Sequence, residues 1–125
     1  MLRAGVITLA LTVLISAVPA QAGEEGVAVF RGSCVACHSF SQNRVGPGLA
    51  GVVGRPAATA PGYVYSAAMR NSGIVWTEDK LDAFLAAPQT VVPGTKMTFM
   101  GIRDSGSRAA LIAYLKAQQP VQQPQ

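Results

Sequence analysis

The sequence predicts an all-α domain whose helices are joined by long loops wrapped around a buried ligand. Three observations predict it. Apolar residues recur at spacings of three and four near both ends of the chain, which is the period of a helix face. No stretch shows a convincing strand pattern. Two segments, 39–62 and 91–101, carry so many glycines and prolines that long regular elements do not fit them. Loops of that length are unusual in a domain of about 100 residues unless they wrap something.

The chain opens MLRAGVITLALTVLISAVPAQAGEEG. Arg3 gives a short positive start, Ala4–Val18 is apolar or small throughout, and Pro19 ends the run. Ala20-Gln21-Ala22 matches a small-x-small cleavage pattern, so residues 1–22 read as a secretory signal peptide that is removed before Gly23. A retained membrane anchor is the alternative, but the run is short for a span of about 20 residues. One domain fits residues 23–119. Residues 120–125 form a polar, proline-punctuated tail that reads as disordered.

Gly23–Cys37 is the first predicted helix. Glu24 and Glu25 favour its N-terminal end through the helix dipole, and Val27, Phe30 and Cys34 make one apolar stripe. Ser39–Gly62 is loop. Tyr65–Asn71 suits a short helix closed by Ser72-Gly73. The next helix starts at Thr77, an N-cap residue followed by Glu78 and Asp79. It buries Leu81, Phe84 and Leu85, and Pro88 stops it. After the 91–101 loop, a last helix runs from about Asp104 to Gln118, with Ala110, Leu111, Tyr114 and Leu115 on its inner face.

Lys and Arg number 10 against six Asp and Glu, a net +4, or +3 once Arg3 is removed. The basic residues are scattered and few aromatics interleave with them, so nothing indicates nucleic-acid binding. Mild positive charge instead suits encounters with a protein partner.

Residues 34–38 read Cys34-Val35-Ala36-Cys37-His38 and hold both cysteines and the one histidine of the chain. A Cys34–Cys37 disulfide would close too small a loop to stabilise much and leaves His38 idle. A thioredoxin-like pair expects a preceding strand, and zinc lacks further histidine or cysteine ligands. Cys-x-x-Cys-His is the attachment motif of a c-type haem. A helical i, i+3 pair of thiols reaches two neighbouring vinyl groups, and the adjacent imidazole projects to the iron. Met sulfur can take the opposite axial place and raises the reduction potential. Met97 and Met100 both lie in the second loop, and spacing alone does not choose between them.

Over essentially the whole expected mature chain the sequence resembles the small class I cytochromes c, mitochondrial and bacterial. The likeness lies in GVAVFRGSCVACHSF, in VGPGLAGVVGRPAATAPGYVYSAAMRNSGIVW, in PGTKMTFMGI and in RAALIAYLKA, in the family order. It implies the class I fold, with first and last helices crossing at Gly26, Phe30, Leu111 and Tyr114 around one haem c attached through Cys34 and Cys37. It also implies His38 and Met97 as metal ligands, and the Pro47 carbonyl holding the imidazole N–H. Arg55, Tyr65, Trp76 and Thr95 are implied as haem-propionate partners, and Phe99 as an aromatic at the haem edge.

The implied function is one-electron transport, not catalysis. Its partners would be membrane or soluble redox proteins met at the exposed haem edge by a periplasmic monomer, as in a respiratory chain. A peroxidase or nitric oxide binder is the competing reading, but it needs an open sixth place. Ala28, Ser33, Gln89 and Thr90 stand where mitochondrial relatives place lysines, leaving Arg31, Arg44, Lys96 and Arg103 as a thinner positive rim. Phe84 and Met69 replace more polar family residues. A drier pocket disfavours the extra charge of ferric haem, which predicts a reduction potential at the upper side for Met/His haems.

Overall fold

The computed structural model describes residue 1 and residues 20–118. The expected tail lies outside the described residues, as does nearly all of the expected leader. Five helices are present among the described residues: α1 (Ala20–Ser33), α2 (Ala67–Arg70), α3 (Glu78–Ala86), α4 (Pro88–Val91) and α5 (Ser105–Ala117). None is long and apolar enough to cross a membrane. No strand occurs among these residues, only an isolated antiparallel bridge between Pro56 and Val75.

Local side chains explain where the helices begin. Ser66 caps α2 by accepting from the Met69 N–H at 3.0 Å. Thr77 caps α3 by accepting from the Lys80 N–H at 3.2 Å, and Asp104 caps α5 through the Ser107 N–H at 2.7 Å. Each side-chain oxygen satisfies a backbone donor that has no partner in the first turn.

Two expectations need correction. The first helix was expected over Gly23–Cys37, yet α1 starts at Ala20 and ends at Ser33. Glu24 and Glu25 therefore lie beyond its first turn. At the far end the ladder changes pitch: Val35 N–H bonds the Phe30 carbonyl at 3.2 Å and Cys37 N–H bonds that of Cys34 at 3.1 Å. Cys34–Cys37 is thus a turn that continues the chain's rotation without a regular helix. The second correction concerns Pro88, which does not only stop α3 but also opens α4. Proline fits a first helical position because its missing N–H is not needed there.

The crossing of α1 and α5 is close because Gly26 is buried against the other helix. A Cβ there would meet the Ala110 carbonyl oxygen and lie 2.8 Å from Tyr114 Cβ. Beside it, Phe30 stacks on Phe40 at 4.6 Å between centroids, and Tyr114 sits edge-on to both rings at 5.6 Å. Leu111 is fully buried, and Ile112, unforeseen in the sequence, is buried as well. Arg108 ties α5 to α3 through Asp82 at 2.7 Å. Trp76, Leu81, Phe84, Leu85 and Val92 continue this core toward the centre. There the helices leave a gap that the two long loops enclose.

A haem-sized cavity between two loops

The gap is a cavity of about 530 Å³. Cys34, Cys37, His38 and Pro47 line one part of it, and Thr95, Met97, Phe99 and Met100 line another. Arg55, Tyr65, Trp76, Met69, Leu81, Phe84 and Leu85 complete much of the wall. The sequence-predicted site residues therefore gather around one space, although they come from segments far apart in the chain.

The turn after α1 places the motif. Cys34 is half-buried and Cys37 is exposed, and the two form no disulfide. Burial pushes the Cys34 thiol up to about 11. The His38 imidazole faces the cavity with Nδ1 bonded to the Pro47 carbonyl at 2.8 Å. A carbonyl accepts only from a protonated nitrogen, so this bond assigns the proton to Nδ1 and leaves the Nε2 lone pair unused. Burial lowers the imidazole pKa, and the bond to Pro47 works against that effect. Gly46 lies flat against the ring: a Cβ would meet Cε1 and fall 2.7 Å from both ring nitrogens.

The loop behind His38 is tied down by its backbone. Gly46 N–H bonds the Cys37 carbonyl at 2.8 Å, Leu49 N–H that of Ser39 at 3.0 Å, and Ala50 N–H that of Phe40 at 3.1 Å. Asn43 spans outward, donating to the Pro61 carbonyl at 2.8 Å and accepting from the Gly48 N–H at 2.9 Å.

Arg55 and Trp76 are brought together by the chain pairing around the Pro56–Val75 bridge. Trp76 N–H bonds the Arg55 carbonyl at 2.9 Å, and Gly54 N–H bonds the Trp76 carbonyl at 2.7 Å. The Arg55 guanidinium donates to the carbonyls of Ala50 and Gly48 at 2.9 and 3.1 Å. Its Nε–H is buried with no acceptor among the described residues. A buried charged donor without a partner is costly, and an anionic oxygen in the cavity would satisfy it. Tyr65 Oη accepts from the Ala60 N–H at 3.0 Å, which leaves its own hydroxyl proton to donate. Thr95 is buried, and its hydroxyl accepts from the Met97 N–H at 3.3 Å. Apolar walls with donors grouped at Arg55 and Tyr65 fit a flat apolar macrocycle that carries carboxylates, as haem does.

The two loop methionines differ in setting. Met97 is part-buried and packs against the core, whereas Met100 is 92% exposed at the mouth. Met69 is buried in the wall. Around the mouth, Arg44 donates to the Val35 carbonyl at 2.9 Å. Lys96 donates to that of Val64 at 2.7 Å and lies 5.3 Å from the Tyr63 ring centre. Val45 and Val64 are each 74% exposed beside these bonds.

Three residues of this region had no role assigned at the site from the sequence, Gln89 having been noted only as a place that lacks a family lysine. Tyr63 lines the cavity, meets Tyr65 edge-on at 4.7 Å and donates to the Val45 carbonyl at 2.7 Å. Its signal was available, since two tyrosines two residues apart on an extended segment share a side. Asn43 and Gln89 gave no such signal.

The comparisons agree with this geometry. The Cytochrome c family profile matches residues 23–119. Cytochrome c2 of Rhodopila globiformis is 49% identical over 94 residues, covering 74% of this chain and 89% of the relative. Cytochrome c-type cyt cy of Rhodobacter capsulatus is 48% identical over 97 residues, covering 77% of this chain and 47% of that protein. The chain thus spans about half the length of the latter. Among solved structures, cytochrome cH from Methylobacterium extorquens superposes with a TM-score of 0.74 at 46% identity, covering 76% of this chain and 97% of that one. The chain belongs to the cytochrome c family, in its class I form. It is a single-haem electron carrier, and its cofactor is one covalently bound haem c.

Proposed function

We propose that His38 and Met97 are the axial ligands of the haem iron and that the chain acts solely as an electron carrier, with no enzymatic activity. Bound there, haem supplies a one-electron couple between ferrous and ferric iron. The observation that carries the proposal is the arrangement of the cavity: a locked imidazole with its Nε2 free and a part-buried thioether line one apolar space. Pro47 orients the ring and strengthens its donation. Arg55, Tyr65, Trp76 and Thr95 face the acidic groups of the cofactor. Met69, Trp76, Phe84 and Leu85 exclude water, which favours the less charged ferrous state and a high reduction potential. With His38 and Met97 both holding the iron, the cofactor would have no position open for a substrate.

The same reading makes the protein a periplasmic monomer. It meets membrane or soluble redox proteins at the cavity mouth, in respiration, through small and brief contacts. Residues 1–22 are its leader, 23–119 its working domain and 120–125 a tail outside that domain. A cut before Gly23 would put Glu24 and Glu25 into the first turn of a shortened α1, where the dipole favours them, and that position of the two acids supports the division. Mass spectrometry of periplasmic material tests both the cut and the attachment of haem.

Met97→Ala tests the ligand. The sulfur-to-ferric-iron band in the near infrared should vanish. The reduction potential should fall by on the order of 100 mV or more, within the ~0.8 V that axial ligands span. An unchanged spectrum and potential would refute the assignment. Rapid carbon monoxide binding to the reduced native protein would favour an enzyme with an open sixth place.

A further inference from the structure

The segment that carries Met97 is held by a side chain outside it. Gln89, in α4, donates from Nε2 to two carbonyls of the loop, that of Thr95 at 3.2 Å and that of Met97 at 3.0 Å. Both bonds leave from the same nitrogen, and the amide has two N–H groups to give. They straddle Lys96, so one amide fixes the backbone on either side of the turn that aims the Met97 side chain. The other bond to Met97 is weaker in kind: its N–H reaches the Thr95 hydroxyl at 3.3 Å, within the same loop. Beyond Met97 the next backbone anchor is Ile102 N–H on the Leu85 carbonyl at 2.8 Å. Between those points, Thr98 and Met100 are exposed and Phe99 is half-buried.

We propose that Gln89 is a latch on the sixth-ligand loop, a positioning residue that sets how often the Met97 sulfur leaves the iron and lets a small external ligand in. The inference rests on Met97 being that ligand. The latch is an exposed side chain on α4, outside the core that Pro88 and Val91 of the same helix join, so it adds little to global stability. It acts where opening is local, since a loop of this kind frees itself without unfolding the core. Losing two neutral hydrogen bonds, partly replaced by water, raises the population of the open loop about tenfold.

The test uses the holoprotein in its ferric state, with imidazole as the entering probe. Apparent imidazole affinity is read from the visible spectrum, and intactness of the iron–sulfur bond from the near-infrared band. Gln89→Glu keeps the shape of the side chain but removes its donors and turns a carboxylate toward two carbonyl oxygens. Gln89→Ala removes the side chain. Both should raise imidazole affinity about five- to tenfold, with Gln89→Glu at least equal to Gln89→Ala. Thr90→Ala, on the same helix, should stay within twofold of the native protein, and the denaturant midpoints of all variants should remain close together.

A packing role for Gln89 predicts the reverse order, with Gln89→Glu like the native protein, and that result would overturn the latch. Native-like affinity in both variants, with the band intact, would overturn the latch alone. A native protein without the band would overturn the ligand assignment and the latch together.

Discussion

The two loops that enclose the cavity are built differently. The segment behind His38 is stitched to residues 37–40 by backbone bonds from Gly46, Leu49 and Ala50. The segment carrying Met97 has backbone anchors toward its ends, Thr95 N–H on the Val92 carbonyl at 3.0 Å and Ile102 N–H on the Leu85 carbonyl at 2.8 Å. Around Met97 itself it depends on side chains: Gln89 on its carbonyls, Lys96 reaching the Val64 carbonyl, and the Thr95 hydroxyl under the Met97 N–H. Backbone bonds survive most substitutions, whereas each side-chain bond is lost with a single change. The difference teaches that the two proposed ligands need not be equally firm: the His38 side belongs to the fold's frame and the Met97 side is adjustable. An electron carrier would tolerate this, because one-electron transfer requires no exchange of the groups that hold its cofactor.

The largest expected effect comes from breaking the firm side. Gly46→Ala places a Cβ inside contact distance of the His38 ring, which its bond to the Pro47 carbonyl holds in place, so either that bond or the stitched loop must give way. We expect a loss of about 3 kcal/mol in denaturant unfolding. On the other side, Gly101 combines a φ of +103° with a Cβ position that overlaps the Ala86 carbonyl. Gly101→Ala should cost about 2 kcal/mol, part of the strain being relieved by the loop shifting, and should weaken the near-infrared band. If Gly101→Ala proved the more destabilising of the two, the contrast between a firm and an adjustable side would be inverted.

A smaller change sharpens the comparison in the opposite direction. Ala58, in the cavity wall, adopts a φ of 61°, a conformation in which its Cβ is crowded. Ala58→Gly should stabilise the protein by about 0.5–1 kcal/mol, measured as a shift in thermal midpoint. No gain would mean that the strain is absent or is balanced by the freedom glycine adds to the unfolded chain.

The smallest effect is one of pH. Asp104 follows the Met97 loop, and its carboxyl is held below the ordinary aspartate range, first by the Ser107 backbone N–H and then by the Ser107 hydroxyl. The Ser107 hydroxyl proton itself goes to Glu25, so the bond at stake is the one from the Ser107 backbone N–H. A depressed value means that its stabilisation is present above the usual aspartate pKa of about 4 and is lost as pH falls through the lower, folded-state value. Acid should therefore loosen the start of α5 while the His38 loop stays protected. Hydrogen exchange at residues 104–108 below pH 4 checks this, and Asp104→Asn should remove the dependence.

The starts of α3 and α5 were legible in the sequence because Thr77 and Asp104 act on backbone donors three residues away. α4 was not, since Pro88 reads equally as the end of one helix and the first residue of another. The length of the first helix was misjudged because Gly32 and Ser33 weaken it before the cysteines. At the site, Cys34, Cys37 and His38 declare themselves by adjacency. Pro47, Arg55, Tyr65, Trp76 and Thr95 came through family likeness, since no local spacing links residues whose meeting place is made by loops. Gln89 and Asn43 were hidden for the same physical reason: their partners are carbonyls and amides, which every residue carries, so nothing in a one-dimensional pattern marks them.

The α1–α5 crossing also sets an order of events in time. Glu25 and Ser107, bonded across it at 2.9 Å, are 82 residues apart, so a chain emerging amino end first exposes its cysteines well before the closing helix exists. Until then Phe30 and Phe40, which flank the cysteine turn in sequence, lack the Tyr114 ring. The cysteine turn is thus made early, and the last helix to be made completes the ring stack beside it.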